Sequence, residues 1–580
     1  MREQNTKKLI FGIAVILLVS SFSYFQYIVP YHIFFKEQIQ LFVYDSSYIL
    51  SYFLKPGGLA CLAGDFLTQF LYLKGGGAVV ISMLIFFEWL LIVRILYSFE
   101  LRKMATLWAL FPVIVEWMII SRIDFSIAMS VAFALVLLAI FVYTLIKNKT
   151  ASIIYGIIFV PVLYVLLGGA VFLFPAAILI YDIYRGEKRY LYWLTLIVLT
   201  VIIPYLLRSH YLITVTQAYY YPYTRINQKT SCLVTVLILL FSSLKIIRKY
   251  RVTILTCVLT FLFIIASGIV GLIATTNFKR EKILGIATEA YFENWNKLLK
   301  MSEKSKLENP ITAYYTNLAL SKQMQLGDRM MDFYQPFVSG LFLWVNSESN
   351  WFTIFFSSDV FYHIGDMNMA QHSAMLGMIF SPYQRSSRLI QRLAEINVVT
   401  GDVPAAMKYI RMMESSLFHS KRAAFLKEAA LSTRPDDYPW LQNKRSQIHV
   451  NDTMHTPFNV LLPLELLVKQ NPDNRAALDY LLAYHLMSKN IPDFFNVYSS
   501  YCKDKTGYVP KVFAEALLIY FAINKVDPET IKEYNINPVI IKDFNDYTKL
   551  YESSKGNLEL LKEKFPNTYW LFYHFAKTKT

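Results

Sequence analysis

Apolar runs of about 17–22 residues recur through residues 1–274 and then stop. Each is long enough to cross the ~30 Å hydrocarbon core of a bilayer as a helix. Nine spans are read: 9–29, 77–97, 104–120, 125–146, 151–167, 170–184, 190–207, 231–247 and 252–274. The fifth and sixth are short and meet at Gly168-Gly169, where either a tight helical hairpin forms or one of the two is only partly inserted. Residues 275–580 have the composition of ordinary soluble protein. The predicted fold class is all-α: a polytopic transmembrane bundle over 1–274 followed by a soluble helical domain over 275–580.

Charge gives the orientation. Of 57 Lys and Arg and 41 Asp and Glu, 22 and 10 fall in residues 1–274, so +12 of the +16 net charge belongs to the membrane half. There it follows the loops. Arg2, Lys7 and Lys8 precede the first span. Arg102 and Lys103 follow the second, Lys147 and Lys149 the fourth, Arg185, Lys188 and Arg189 the sixth, and Lys245, Arg248, Lys249 and Arg251 the eighth. The positive-inside rule puts all five groups in the cytoplasm. An odd number of spans then places the soluble half outside. The basic balance is a topology signal, and no nucleic-acid partner is implied. Ser21-Phe22-Ser23 resembles a signal-peptide cleavage site, but apolar character runs on to Val29, which favours an uncleaved anchor. Cys61, Cys232, Cys257 and Cys502 have neither metal nor redox spacing.

The soluble half repeats. Gly-Asp recurs in "KQMQLGDRMMDFYQPF" (Gly327), "FYHIGDMNMAQHSAML" (Gly365) and "EINVVTGDVPAAMKYI" (Gly401), close to the ~34-residue tetratricopeptide period. Gly ends one helix in a left-handed turn, and Asp caps the next. Ala370 and Ala406 take equivalent small positions. "LMSKNIPDFFNVYSSY" reads as a later copy with Asn490 in the Gly role, "ESSKGNLELLKEKF" as another, and 433–456 as an insert. Stacked helix pairs form a solenoid whose concave face binds an extended protein or peptide segment; the alternative is a helical spacer.

Residues 31–77 are too polar to cross the membrane and too apolar for a loop. They divide at Lys55-Pro56-Gly57-Gly58, a turn, into two expected amphipathic helices lying at the interface. Glu37, Gln40, Tyr44, Ser47 and Ser51 form the polar stripe of the first, with Asp45 on the same helix. Asp65, Gln69 and Tyr72 line one side of the second. Glu37, Asp45 and Asp65 are the candidate catalytic acids, able to orient a nucleophile and accept its proton or to hold a divalent cation bridging a phosphate. The other reading is that they are solvated on a polar face. Gln69 is a candidate substrate contact. In "RSHYLITVTQAYYYPYTRINQK", Arg208, His210 and Arg225 are candidates for a lipid-linked phosphate and Tyr221 for a sugar; the plainer reading is an aromatic belt with snorkelling arginines.

Within the spans, Glu88 lies near mid-depth and Glu116 nearer the outer end. Such charge is costly and often functional. Each either pairs with a basic group or is protonated and hydrogen-bonded inside the bundle. No Walker loop, dinucleotide fingerprint, HExxH or nucleophile elbow is present.

A long first extracytoplasmic loop with amphipathic helices and an acid soon after the first span resembles the GT-C superfamily of glycosyltransferases. That resemblance covers residues 1–274. It implies transfer of a sugar from a polyprenyl-phosphate carrier to an extracytoplasmic acceptor. This chain has Glu37-Gln38 and Asp45-Ser46 where the superfamily usually has two adjacent acids. Such a bundle followed by tetratricopeptide repeats resembles, in layout, the eukaryotic transmembrane O-mannosyltransferases. "EQIQLF", "PGGLACLAGDFLTQF" and "AYYTNLALSKQMQLGD" look like an uncharacterised family of Bacteroidota inner-membrane proteins across nearly the whole chain. This implies a multi-pass inner-membrane protein with a cytoplasmic amino terminus and a periplasmic second domain. A membrane-anchored tetratricopeptide scaffold for envelope assembly, without chemistry, is the alternative function.

Overall fold

The structure is a computed structural model that describes residues 2–101, 104–223, 229–244, 253–344, 349–434, 437–449, 459–503 and 507–577. Helices carry it throughout, and no strand occurs among the described residues. The chain forms two compact units. The first comprises Met1–Glu281 with Ser415–Ser420; the second comprises Lys282–Glu414 and Lys421–Thr580.

Among the described residues of the first unit six helical stretches are long and apolar enough to cross a membrane, fewer than the nine expected: Ile10–Ile28, Gly76–Ser98, Ile127–Leu145, Lys149–Tyr184, Tyr190–Leu207 and Leu255–Thr275. Ala105–Ile120 and Thr230–Ser243 are apolar but shorter. Lys149–Tyr184 is not one rod. At 1.5 Å per residue its ends would lie ~54 Å apart, yet the Lys149 ammonium meets the Glu187 carboxylate at 3.1 Å. The stretch doubles back at Gly168, whose φ of 65° ends the helix Lys149–Leu167. The core is almost wholly apolar: Trp89, Phe133, Leu137, Val171 and Phe174 are sealed from solvent. Outward-facing Leu259, Phe263 and Leu194 remain exposed, as lipid-facing positions do when the bilayer is the solvent.

The insert departs from two simple helices. Helix Pro30–Gln38 ends two residues before Gln40, residues 40–45 are non-helical, and Asp45 then caps a short helix, Ser46–Ser51. Glu37 and Asp45 therefore do not share a helix. Nor does the first part lie exposed on the surface, since residues 35–43 are all buried. Gly57 (φ 80°) makes the expected turn, and helix Gly58–Thr68 follows. Gly64 brings that helix against the start of Ile127–Leu145: a β-carbon on it would come within 2.4 Å of the Ala128 backbone.

In the second unit the Gly-Asp device works as expected at two sites. Gly365 (φ 100°) and Gly401 (φ 84°) are left-handed. Asp366 accepts the Met369 amide, Asp402 accepts that of Ala405, and Ala370 and Ala406 are fully buried. Gly327 differs. It lies inside Leu326–Arg329, and Asp328 instead takes the Tyr508 hydroxyl and the Lys511 amide. Near Asn490, Lys489 is the left-handed residue (φ 57°) and Asn490 caps Ile491–Tyr501, so Asn490 plays the Asp role rather than the Gly role. Gly556-Asn557 repeats the device. Within the 433–456 insert, Pro439–Gln447 is a helix. Its Lys444 caps the end of Ser358–Ile364 through the Tyr362 carbonyl, and its Arg445 caps Ser387–Thr400 through Val398 and Val399, cations placed where helix carbonyls lack partners. Asp359 is buried between Arg388 (2.6 Å) and Arg392 (3.0 Å).

Candidate functional site

Helix Pro30–Gln38 is fixed at both ends. Pro30 opens it, as suits a position that needs no amide donor. The Glu281 carboxylate accepts the free amides of Tyr31 (2.7 Å) and His32 (2.9 Å). Burial pushes that carboxyl up to about 8, against the pull of the two amides. Lys36 donates to the Phe125 carbonyl at 2.5 Å and reaches those of Arg122 and Ile123. Burial lowers its ammonium to about 7, opposed by Asp124. Burial, then Lys36, holds the His32 imidazole well below its ordinary value.

So clamped, the helix presents Glu37 to His419, Oε1 to Nε2 at 2.7 Å, with each side chain 5% exposed. His419 belongs to the Ser415–Ser420 segment. The Ser415 carbonyl accepts the Tyr44 amide (2.7 Å). Phe418 stacks on Tyr72 at 5.9 Å, and Tyr72 meets His419 edge-on. Glu37, Gln40, Asp65, Gln69, Ser416 and His419 line one narrow cleft, with about 10 Å³ of accessible space.

Asp65 is held from the other side. The Tyr52 hydroxyl donates to its Oδ2 at 2.5 Å, and the Tyr48 hydroxyl adjoins that of Tyr52. Burial lifts the Asp65 carboxyl to about 6, with Tyr52 and Gln40 pulling the other way. That is close enough to neutrality for an ionised base that holds a captured proton well. Tyr44 donates to Gln69 Oε1 (3.2 Å). One turn before Asp65, burial and then the Asp65 charge push the Cys61 thiol up to about 12. Tyr221 lies 4.0 Å from Cys61, hydroxyl to Sγ, and its carbonyl anchors the Gly169 amide (2.7 Å).

Of the sequence candidates, Glu37, Asp65 and Gln69 are brought together, and Tyr221 stands beside them through Cys61. Asp45 is not: it is exposed and spends its carboxylate on Tyr48 N and the Ser47 hydroxyl. Arg208 covers the Tyr205 ring at 4.5 Å and His210 packs edge-on to Tyr211, both at the end of Tyr190–Leu207. Arg225 lies outside the described residues. Among the described residues no three His, Cys, Asp or Glu side chains converge as metal ligands. Sequence reasoning missed His419, Tyr52, Lys36 and Glu281. The contact of His419 with Glu37 spans 382 residues, and no local pattern announces it.

No curated protein and no solved structure matches the chain. One family model, described as a family of unknown function (DUF6057), matches residues 5–576. That is nearly the full length, and the chain belongs to this family.

Proposed function

We propose that the protein is a GT-C-like membrane glycosyltransferase that moves a sugar from a polyprenyl-phosphate carrier to an extracytoplasmic acceptor. The observation that carries this is the convergence of Glu37, Asp65, Gln69 and His419 in one cleft beside the apolar bundle. Asp65 is the base. As the acceptor oxygen bonds to the anomeric carbon, Asp65 takes the hydroxyl proton, and the bond from that carbon to the carrier phosphate oxygen breaks. Tyr52 orients the carboxylate. His419 holds Glu37, which with Gln69 positions the acceptor. Tyr221 borders the sugar, and Arg208 and Arg225 are assigned to the carrier phosphate.

On this reading the chain crosses the bacterial inner membrane nine times, with a cytoplasmic amino terminus and a periplasmic second unit. That unit's helix pairs form a tetratricopeptide-like solenoid that binds a protein or peptide. The alternation of basic loops supports the orientation.

A second reading, a non-enzymatic envelope scaffold, draws on the size of the cleft. Its accessible space of about 10 Å³ is room for about one water, far below the ~300–1,000 Å³ of ordinary ligand pockets.

The test is Asp65→Asn in the native host, with envelope glycans profiled by mass spectrometry. The enzyme reading expects loss of a glycan species at normal protein abundance. An unchanged glycan profile favours the scaffold.

A further inference from the structure

Apart from the cleft, a second polar cluster lies within the apolar bundle. Glu88 stands near the middle of Gly76–Ser98, is 0% exposed, and neither of its carboxylate oxygens meets a hydrogen-bond partner among the described residues. It points into a group drawn from other helices. Glu116 of Leu110–Ile120 lies within Coulombic reach. The Ser130 hydroxyl donates to Glu116 at 2.5 Å, and Ser231 bonds it from Thr230–Ser243. Cys232 and Tyr223 feel both carboxylates. Among the described residues, Lys229 reaches the cluster through Cys232, but its ammonium is engaged by the carbonyls of Tyr219 (2.9 Å) and Gly169 (3.1 Å). Neither glutamate forms an ion pair among the described residues.

Two buried carboxylates without a counter-charge cannot both stay ionised. Protonating Glu88 removes its charge but leaves an O–H without an acceptor, itself a penalised state. Bare ionisation and bare protonation both leave the group incomplete, whereas a small cation among Glu88, Glu116 and the Ser130 and Ser231 hydroxyls completes it. Carboxylate and hydroxyl oxygens are hard donors suited to such an ion.

We propose that Glu88 and Glu116 form a membrane-interior binding site for a sodium ion. The site is separate from the acidic cleft and does not depend on the transferase reading.

The test uses the full-length protein in detergent, with thermal unfolding followed in sodium chloride and in choline chloride at equal ionic strength, at acidic and alkaline pH. Sodium should raise the unfolding temperature of the wild type by about 2–4 °C, and Glu88→Gln should remove that gain. If acid alone stabilises, equally in both salts, and Glu88→Gln removes the effect, Glu88 is only protonated and the proposal is overturned. Identical responses in wild type and Glu88→Gln overturn the proposal. Should the variant not be recovered, dicyclohexylcarbodiimide, which adds to protonated buried carboxyls, replaces it. Labelling of wild-type Glu88 that sodium suppresses at constant pH supports the site. No label, or one indifferent to sodium, rejects it.

Discussion

A carboxyl buried beside tyrosine hydroxyls titrates differently from one in water, and Asp65 ties stability to chemistry for that reason. Burial lifts its pKa to about 6 from 3.8. Between those values the folded state keeps a proton that the unfolded state has released. Stability therefore falls as pH rises through that window and stays reduced above it. Asp65→Asn should raise stability at neutral pH by up to about 3 kcal/mol and leave it unchanged below the unfolded pKa. Thermal unfolding across pH measures this, and a gain of equal size at acid pH would contradict it. On the transferase reading the same variant is inactive, so greater stability should accompany lost activity. The pairing of Glu37 with His419 has its own signature. His419→Ala takes from a buried carboxylate its 2.7 Å partner and should lose about 1–3 kcal/mol. Glu37→Gln keeps a hydrogen-bonding group and should lose less. A double-mutant cycle with no coupling between the two positions would remove His419 from the site. Glu37, Asp65 and Gln69 were legible in sequence because acids and amides are conspicuous in an apolar insert. Asp45 was misplaced because the helix breaks before it, and its side chain then serves as a cap.

Elements show where close approach decides the fold. Gly64 lets helix Gly58–Thr68 touch the Ala128 backbone, and a β-carbon 2.4 Å from it would press on that backbone and on the rigid Ala128 β-carbon. Gly64→Ala should therefore destabilise the first unit by about 1–3 kcal/mol through overpacking and shift Asp65, the next residue. Unchanged unfolding would show that the two helices can separate without loss. The repeat glycines give a graded comparison. Gly401→Ala meets only Arg445 at 4.0 Å, so its cost is the left-handed strain, roughly 1 kcal/mol. Gly365→Ala adds a contact of 2.3 Å with the Gln447 carbonyl and should be clearly the worse of the two; equal losses would contradict the packing. The sequence disclosed these caps because Gly followed by Asp is a local signal. It concealed the equivalent turn at Lys489 because a non-glycine residue adopts the left-handed conformation there. It also concealed the role of Pro439–Gln447, whose Lys444 and Arg445 cap helices that lie far away in the chain.

At the scale of the whole molecule the proposed nine crossings differ from a count of the six long stretches alone in what each would place across the bilayer. If only the six long stretches crossed, residues 30–75 and 99–126 would lie on opposite sides, yet Lys36 bonds the Phe125 carbonyl at 2.5 Å. Tyr24, at the end of the first span, bonds both Ser121 and Thr276, which six crossings would also place across the membrane from it. Lys149 and Glu187, 3.1 Å apart, would likewise be separated by a bilayer. These conflicts disappear when Ala105–Ile120 and Thr230–Ser243 cross as well and Lys149–Tyr184 counts as two passes. The short helices then cross a locally thinned bilayer or lean on their neighbours, at a cost of fractions of a kcal/mol per ångström of mismatch. Six crossings return the carboxyl terminus to the side of the amino terminus; nine place it opposite. A reporter active only outside the cytoplasm, fused after Thr580, should therefore be active. The same reporter in the 185–189 loop should be silent and in the 208–214 loop active. Activity at 185–189 or silence at Thr580 would reject nine crossings and, with them, an acidic cleft that opens to the periplasm.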